Sequence, residues 1–162
     1  MTMPTVTGLS GNEIYCMRLK GFTASGVLVG NSVRSMGFLG SLGSAFRGVV
    51  GGEVGQVTQL IHEGRVAAFE RLGEEAAREQ VHAVVGVSSE LRALGGNAEF
   101  LAVGSGVRGD ANLNFTSAGD AQELYCHMDA GYVPRQFVFG NIAYSVGAVR
   151  GISGALKTLV RG

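Results

Sequence analysis

The sequence predicts an α+β fold, a small antiparallel sheet covered on one side by helices. Three observations carry that expectation. The stretch Val54–Gln80 places Val57, Leu60, Ile61, Gly64, Ala68 and Leu72 on one helical face, with Glu63, Arg65, Arg71, Glu74 and Arg78 on the other. Two apolar runs after it, 82–94 and 98–107, flank Gly95-Gly96-Asn97, a hairpin signal. The third observation is that the chain begins to repeat itself and then stops. Residues 13–52 return without gaps at an offset of 110, as residues 123–162, with 11 identities over 40 positions. Both cysteines, Cys16 and Cys126, fall at equivalent places in the two copies. A fixed-period repeat governs how the rest of a chain is read.

Taken in order, residues 1–10 read as a lead-in. Glu13 to Asn31 reads as extended, because Ile14, Cys16 and Arg18 alternate with Tyr15, Met17 and Leu19, and Val27-Leu28-Val29 closes at Gly30-Asn31. Val33–Val50 reads as a short helix, with Leu42, Phe46 and Val49 on one stripe. Its columns Gly37-Ser41-Ala45 and Gly40-Ser44-Gly48 imply close backbone approach to another element. The long helix follows, with Glu74 and Arg78 as a favourable four-apart pair, and then the two strands. Gly104–Ser117 reads as a linker. Residues 1–110 are thus expected to form one complete domain. Residues 111–162 form a linker and a partial second repeat with strands and first helix only. A half unit leaves strand edges open, so either the natural chain continues past Gly162 or a partner supplies the missing helix and hairpin.

Thirteen basic residues balance thirteen acidic ones, so neither nucleic acid nor an anionic membrane is an implied partner. The opening residues do not read as a signal peptide, and two cysteines make a poor disulfide framework, so a reduced, cytoplasmic setting is expected. Charged residues are only 16% of the chain and glycines number 27. So weakly charged a surface is usually covered, most often by further copies of the chain.

Candidate chemistry is sparse. Cys16 and Cys126 are the soft metal ligands, but neither has a second cysteine near it. Cys126 and His127 are neighbours that a strand would turn to opposite faces. A ring of copies gathering Cys16 thiols is the best form of a transition-metal site; buried packing is the plainer reading of both. His62 lies off the apolar stripe of the long helix, and His82 opens a strand; neither has a nucleophile or acid at useful spacing. Gly104-Ser-Gly106-Val-Arg-Gly109 matches a dinucleotide fingerprint but has no helix or βαβ unit after it. Only twelve uncharged residues separate Arg34 from Arg47, too few for the roughly 20 of a membrane span.

Gly30-Asn31-x-x-Arg34, Gly51-Gly52, Gly64-Arg65, Phe69-Glu70-x-Leu72 and Ala83-Val84-Val85-Gly86-Val87 together resemble the YbjQ-like family over residues 12–108, and residues 122–162 match its front half again. The resemblance implies a dodecin-like α+β subunit assembling into a homopentameric ring. It also implies a bacterial source and a heavy-metal-binding label without an established reaction. The chain departs from the family pattern at Ser35, Arg47 and Ser88-Ser89-Glu90, where acids are usual, and this weakens the metal label here. The expectation is a homo-oligomeric structural or binding module of unknown ligand, not an enzyme. The alternative is a heavy-metal-binding protein using Cys16 or Cys126 at a subunit interface.

Overall fold

The structure, a computed structural model, describes residues 6–35, 52–53, 55–94, 97–110 and 112–145. Its first element is helix α1, Gly11–Leu19, where the alternation of Ile14, Cys16 and Arg18 suggested a strand. The cap decides the outcome. The Ser10 hydroxyl accepts from the Glu13 amide, and the Glu13 carboxylate accepts from the Ser10 amide at 2.7 Å, closing a capping box. Ser10-Gly11-Asn12-Glu13 carried that signal, and a six-residue alternation is too short to outweigh it. The helix ends at Gly21, whose φ of +82° suits glycine.

Strand β1, Thr23–Ser35, runs through Gly30-Asn31 instead of stopping there. The two-residue strand β2, Gly52–Glu53, precedes helix α2, Gly55–Arg78. Then come β3, Ala83–Leu94, and β4, Asn97–Arg108, paired as the expected hairpin with Leu94 opposite Asn97. The supposed linker contains the last residues of β4 and a short strand β5, Phe115–Thr116. Helix α3, Ala121–Asp129, and strand β6, Tyr144–Ser145, complete the described elements. The glycine-rich helix expected up to Val50 lies outside the described residues beyond Ser35.

The main sheet has the order β1-β4-β3-β5. β1, β4 and β3 are antiparallel as expected, but β5 runs parallel to β3, so the sheet is mixed. β2 and β6 form a separate antiparallel ladder.

Helices lie on both faces of the sheet, not one. On one face α2 buries Ala68 and Leu72 against Leu28, Val84, Phe100 and Ala102. Burying the leucine, valine and phenylalanine side chains among these stabilises by about 1.5–3 kcal/mol each. Two glycines permit this approach. A Cβ on Gly30 would collide with the Ala68 carbonyl oxygen and lie 2.5 Å from the Leu72 nitrogen, so the helix backbone rests directly on β1. A Cβ on Gly64 would enter the Phe100 ring. On the other face, α1 and α3 pack together over one end of the sheet, where Met17, Phe22, Val85, Val107, Phe115 and Leu124 form a second core. That core draws on residues from both sides of position 110.

The second copy departs from the first after its helix. Asp120 caps α3 by accepting from the Gln122 and Glu123 amides at 2.8 Å. Beyond Gly131, however, residues 132–143 form no sheet strand. They run as an extended strap antiparallel to α2. It is held by Phe137 N–H on Thr116 Oγ1 at 2.8 Å, Asn141 Nδ2 on the Thr58 carbonyl at 3.0 Å and Ala143 N–H on Thr58 Oγ1 at 3.0 Å. A strand needs a neighbouring ladder, and among the described residues no strand pairs with 132–143 as β4 pairs with β1.

Candidate functional site

Among the described residues, three surfaces stand out beside the cores: the cysteine-bearing helices, a cleft beside α2, and the exposed half of the sheet.

Cys16 sits half-buried on α1 and Cys126 exposed on α3; both are free thiols. The helical setting revises the strand geometry expected for Cys126 and His127, which now stand about 100° apart around α3. Among the described residues, no group of three or more His, Cys, Asp and Glu side chains could hold a metal ion. The donors among the described residues of one chain therefore do not gather into a transition-metal site. The helices are joined by Lys20, whose ammonium lies 2.9 Å from Asp129 and 4.7 Å from the Tyr125 ring centroid. Glu13 joins them too: its carboxylate accepts from the Ala121 amide at 3.5 Å. Burial raises the Glu13 pKa, but hydrogen bonds from Ser10 and Ala121 outweigh it and hold the carboxyl below its ordinary value.

A cleft of about 570 Å³ opens between α2, the β3–β5 side of the sheet and the strap. Phe69 on α2 forms its aromatic wall, stacked on Phe137 at 5.0 Å and on Phe139 at 5.1 Å between ring centroids. His82 lines it half-buried, with Nδ1 accepting the Gly109 amide at 3.0 Å. That hydrogen bond leaves Nε2–H as the donor the neutral ring can offer. His62 is exposed on α2, its ring 5.9 Å from that of Phe139. The size and apolar lining are those of a small-molecule pocket. Sequence reasoning found the two histidines but not the phenylalanine stack, since nothing local announces that 137–139 will fold onto residue 69.

Gly104-x-Gly106 is not a phosphate loop. Both glycines lie inside β4, where a Cβ would strike Val84 and Val81 respectively. Among the described residues no helix is long and apolar enough to cross a membrane.

The third surface is the outer face of the sheet beyond α1 and α3. Val29 and Val33 of β1 are 42% and 47% exposed, beside the half-buried Leu101 and Val103 of β4. Asn31 stands among them, donating to Glu99 at 2.8 Å, while its carbonyl accepts from Arg71 of α2. β1 is also an outermost strand of its sheet.

Comparison with known proteins places this architecture. A family model described as "Putative heavy-metal-binding" matches residues 3–109. The chain is 37% identical over 93 residues to a UPF0145 protein of Methanococcus maripaludis, covering 56% of this chain and 83% of that one. A UPF0145 protein of Thermosipho africanus is 36% identical over 109 residues, 67% of this chain and 94% of that relative. One from Thermus thermophilus is 39% identical over 84 residues, 51% and 74% of the two chains. The relatives include archaeal as well as bacterial proteins, which broadens the expected bacterial setting. The matched family region ends before the strap.

Proposed function

The chain belongs to the YbjQ-like family over residues 3–109, and we propose that it works as a self-associating binding module, not as an enzyme. The supporting observation is the outer sheet face, left uncovered by the described residues: Val29 and Val33 stand exposed on a 13-residue strand at the sheet edge. Proteins rarely leave a long edge strand with an apolar face to solvent; a partner surface normally covers it. The partner is further copies of the chain, a ring of five being the family-derived form, in a cytoplasmic setting where both cysteines stay reduced. With no net charge, the module has no electrostatic pull towards nucleic acid or membrane.

Native mass spectrometry of the full chain at tens of micromolar tests this. Defined oligomers are expected, and a stable monomer throughout overturns the reading.

A second reading follows from the family description together with two free thiols, one exposed. A metal would be held between copies, with Cys16 or Cys126 completed by donors from another chain. Elemental analysis of reduced oligomer, with and without Cys16→Ser and Cys126→Ser, decides it: metal below one ion per ring removes this reading.

A further inference from the structure

The strap and β1 are the same repeat segment used from opposite sides. Val27, Val29, Asn31 and Val33 correspond to Phe137, Phe139, Asn141 and Ala143 at the offset of 110. In β1, Leu28, Gly30 and Ser32 face α2 and are buried, while Val29 and Val33 look outward. In the strap the parity is inverted. Phe137 and Phe139 stack on Phe69 of α2, and Asn141 and Ala143 bond to Thr58. The counterparts of the buried set, Val138 and Ile142, are 77% and 66% exposed, and a Cβ at Gly140 would meet nothing within 4 Å. Side chains alternate strictly along extended backbone, so this is a clean exchange of faces.

The chain thus contains one example of the outward side of the repeat strand seated on a flank of α2. We propose that this flank is the docking site for the outer face of β1 from a second copy of the chain, and that the strap is an internal plug of that site. The inference deepens the self-association reading and rests on it. It assigns a partner to the exposed valines, since Val29 would take the place of Phe139 against Phe69. Asn31 is already held by Glu99, so the docked strand contributes its valines. The plug has two advantages over the incoming strand: larger aromatic side chains, and a tether that gives it a high effective concentration. Apparent affinity between copies falls by the fraction of time the flank is open. In the Thermosipho relative the match takes in 94% of the chain, which leaves no room for a strap; plugging is a property of this longer chain.

The test measures association of the full chain against concentration by sedimentation and native mass spectrometry. Phe137→Asp with Phe139→Asp should free the flank and shift the association midpoint at least about tenfold lower. Adding Val29→Asp and Val33→Asp, both on exposed positions, should reverse that gain. Thr58→Val, which removes one strap hydrogen bond, should shift the midpoint in the same direction by a smaller factor and serves if the double aspartate variant does not fold. The inference fails if strap variants associate no more tightly than the parent, or if their gain survives the β1 substitutions. If the parent and all variants stay monomeric, self-association itself fails. If the parent associates and strap variants leave it unchanged, this inference fails while self-association stands.

Discussion

Residues 11–35 and 121–145 follow one pattern and fold alike for about eleven residues before they part. Both begin with a capped helix, α1 or α3, and both leave it through a left-handed glycine, Gly21 or Gly131. After that point the first copy becomes a 13-residue strand and the second an extended strap with a two-residue ladder at its end. The helices agree because a cap and its first turn are local; they need only Ser10 or Asp120 and the amides that follow. The strands disagree because a strand is stabilised by what lies beside it. β1 has β4 along one edge and α2 pressed onto Gly30, whereas among the described residues the strap has the flank of α2 and two hydrogen bonds with Thr116 of β5.

That contrast can be broken at matched positions. Gly30→Val drives a side chain into the α2 backbone and should cost about 3 kcal/mol or more, whereas Gly140→Val should change stability by under about 0.5 kcal/mol; urea unfolding midpoints read both. Equal effects would mean that the strap sits in a site as tight as that of β1. Leu28→Ala, at a fully buried position, should cost about 2–5 kcal/mol against little for Val138→Ala. A smaller effect is expected of Phe137→Ala. It should raise amide exchange across residues 135–143 while leaving β3 and β4 protected, because Phe137 packs half-buried at the margin of the α2-side core. The two caps should weigh alike, about 1 kcal/mol each for Ser10→Ala and Asp120→Ala, measured by thermal melts.

The smallest effect concerns pH. The folded Glu13 carboxyl is held below its ordinary value, so its contribution is complete above the unfolded pKa and is lost as pH falls through the folded one. Melts of Glu13→Gln should therefore converge with those of the parent in acid and separate towards neutrality.

Much of the fold was legible from residue pattern. α2 was visible in its 3.6-residue stripe and the hairpin in Gly95-Gly96-Asn97, both of which are short-range signals. Helix α1 was legible too, but in Ser10 and Glu13, not in the alternation of Ile14 and Cys16, which pointed to a strand. What pattern could not give was placement at long range. The stack of Phe137 and Phe139 on Phe69 depends on a strap lacking the ladder its sequence suits, and the inverted parity follows from that lack. Cys16 and Cys126 were legible as equivalent positions, although the alternation around Cys16 pointed to strands for both where helices stand.

The β2–β6 ladder has a consequence for the order of events in the cell. It joins Gly52 to Ser145 and Glu53 to Tyr144, so it closes a long loop and must wait for nearly the whole described chain. A ribosome adds roughly 5–20 residues each second. For some seconds the sheet and α2 exist outside the exit tunnel while residues 132–145 are still being made or threaded. Neighbouring chains on one polysome would then face one another without the strap in place. Until that ladder closes, Phe69 of α2 is without the two rings, Phe137 and Phe139, that stack on it in the finished fold.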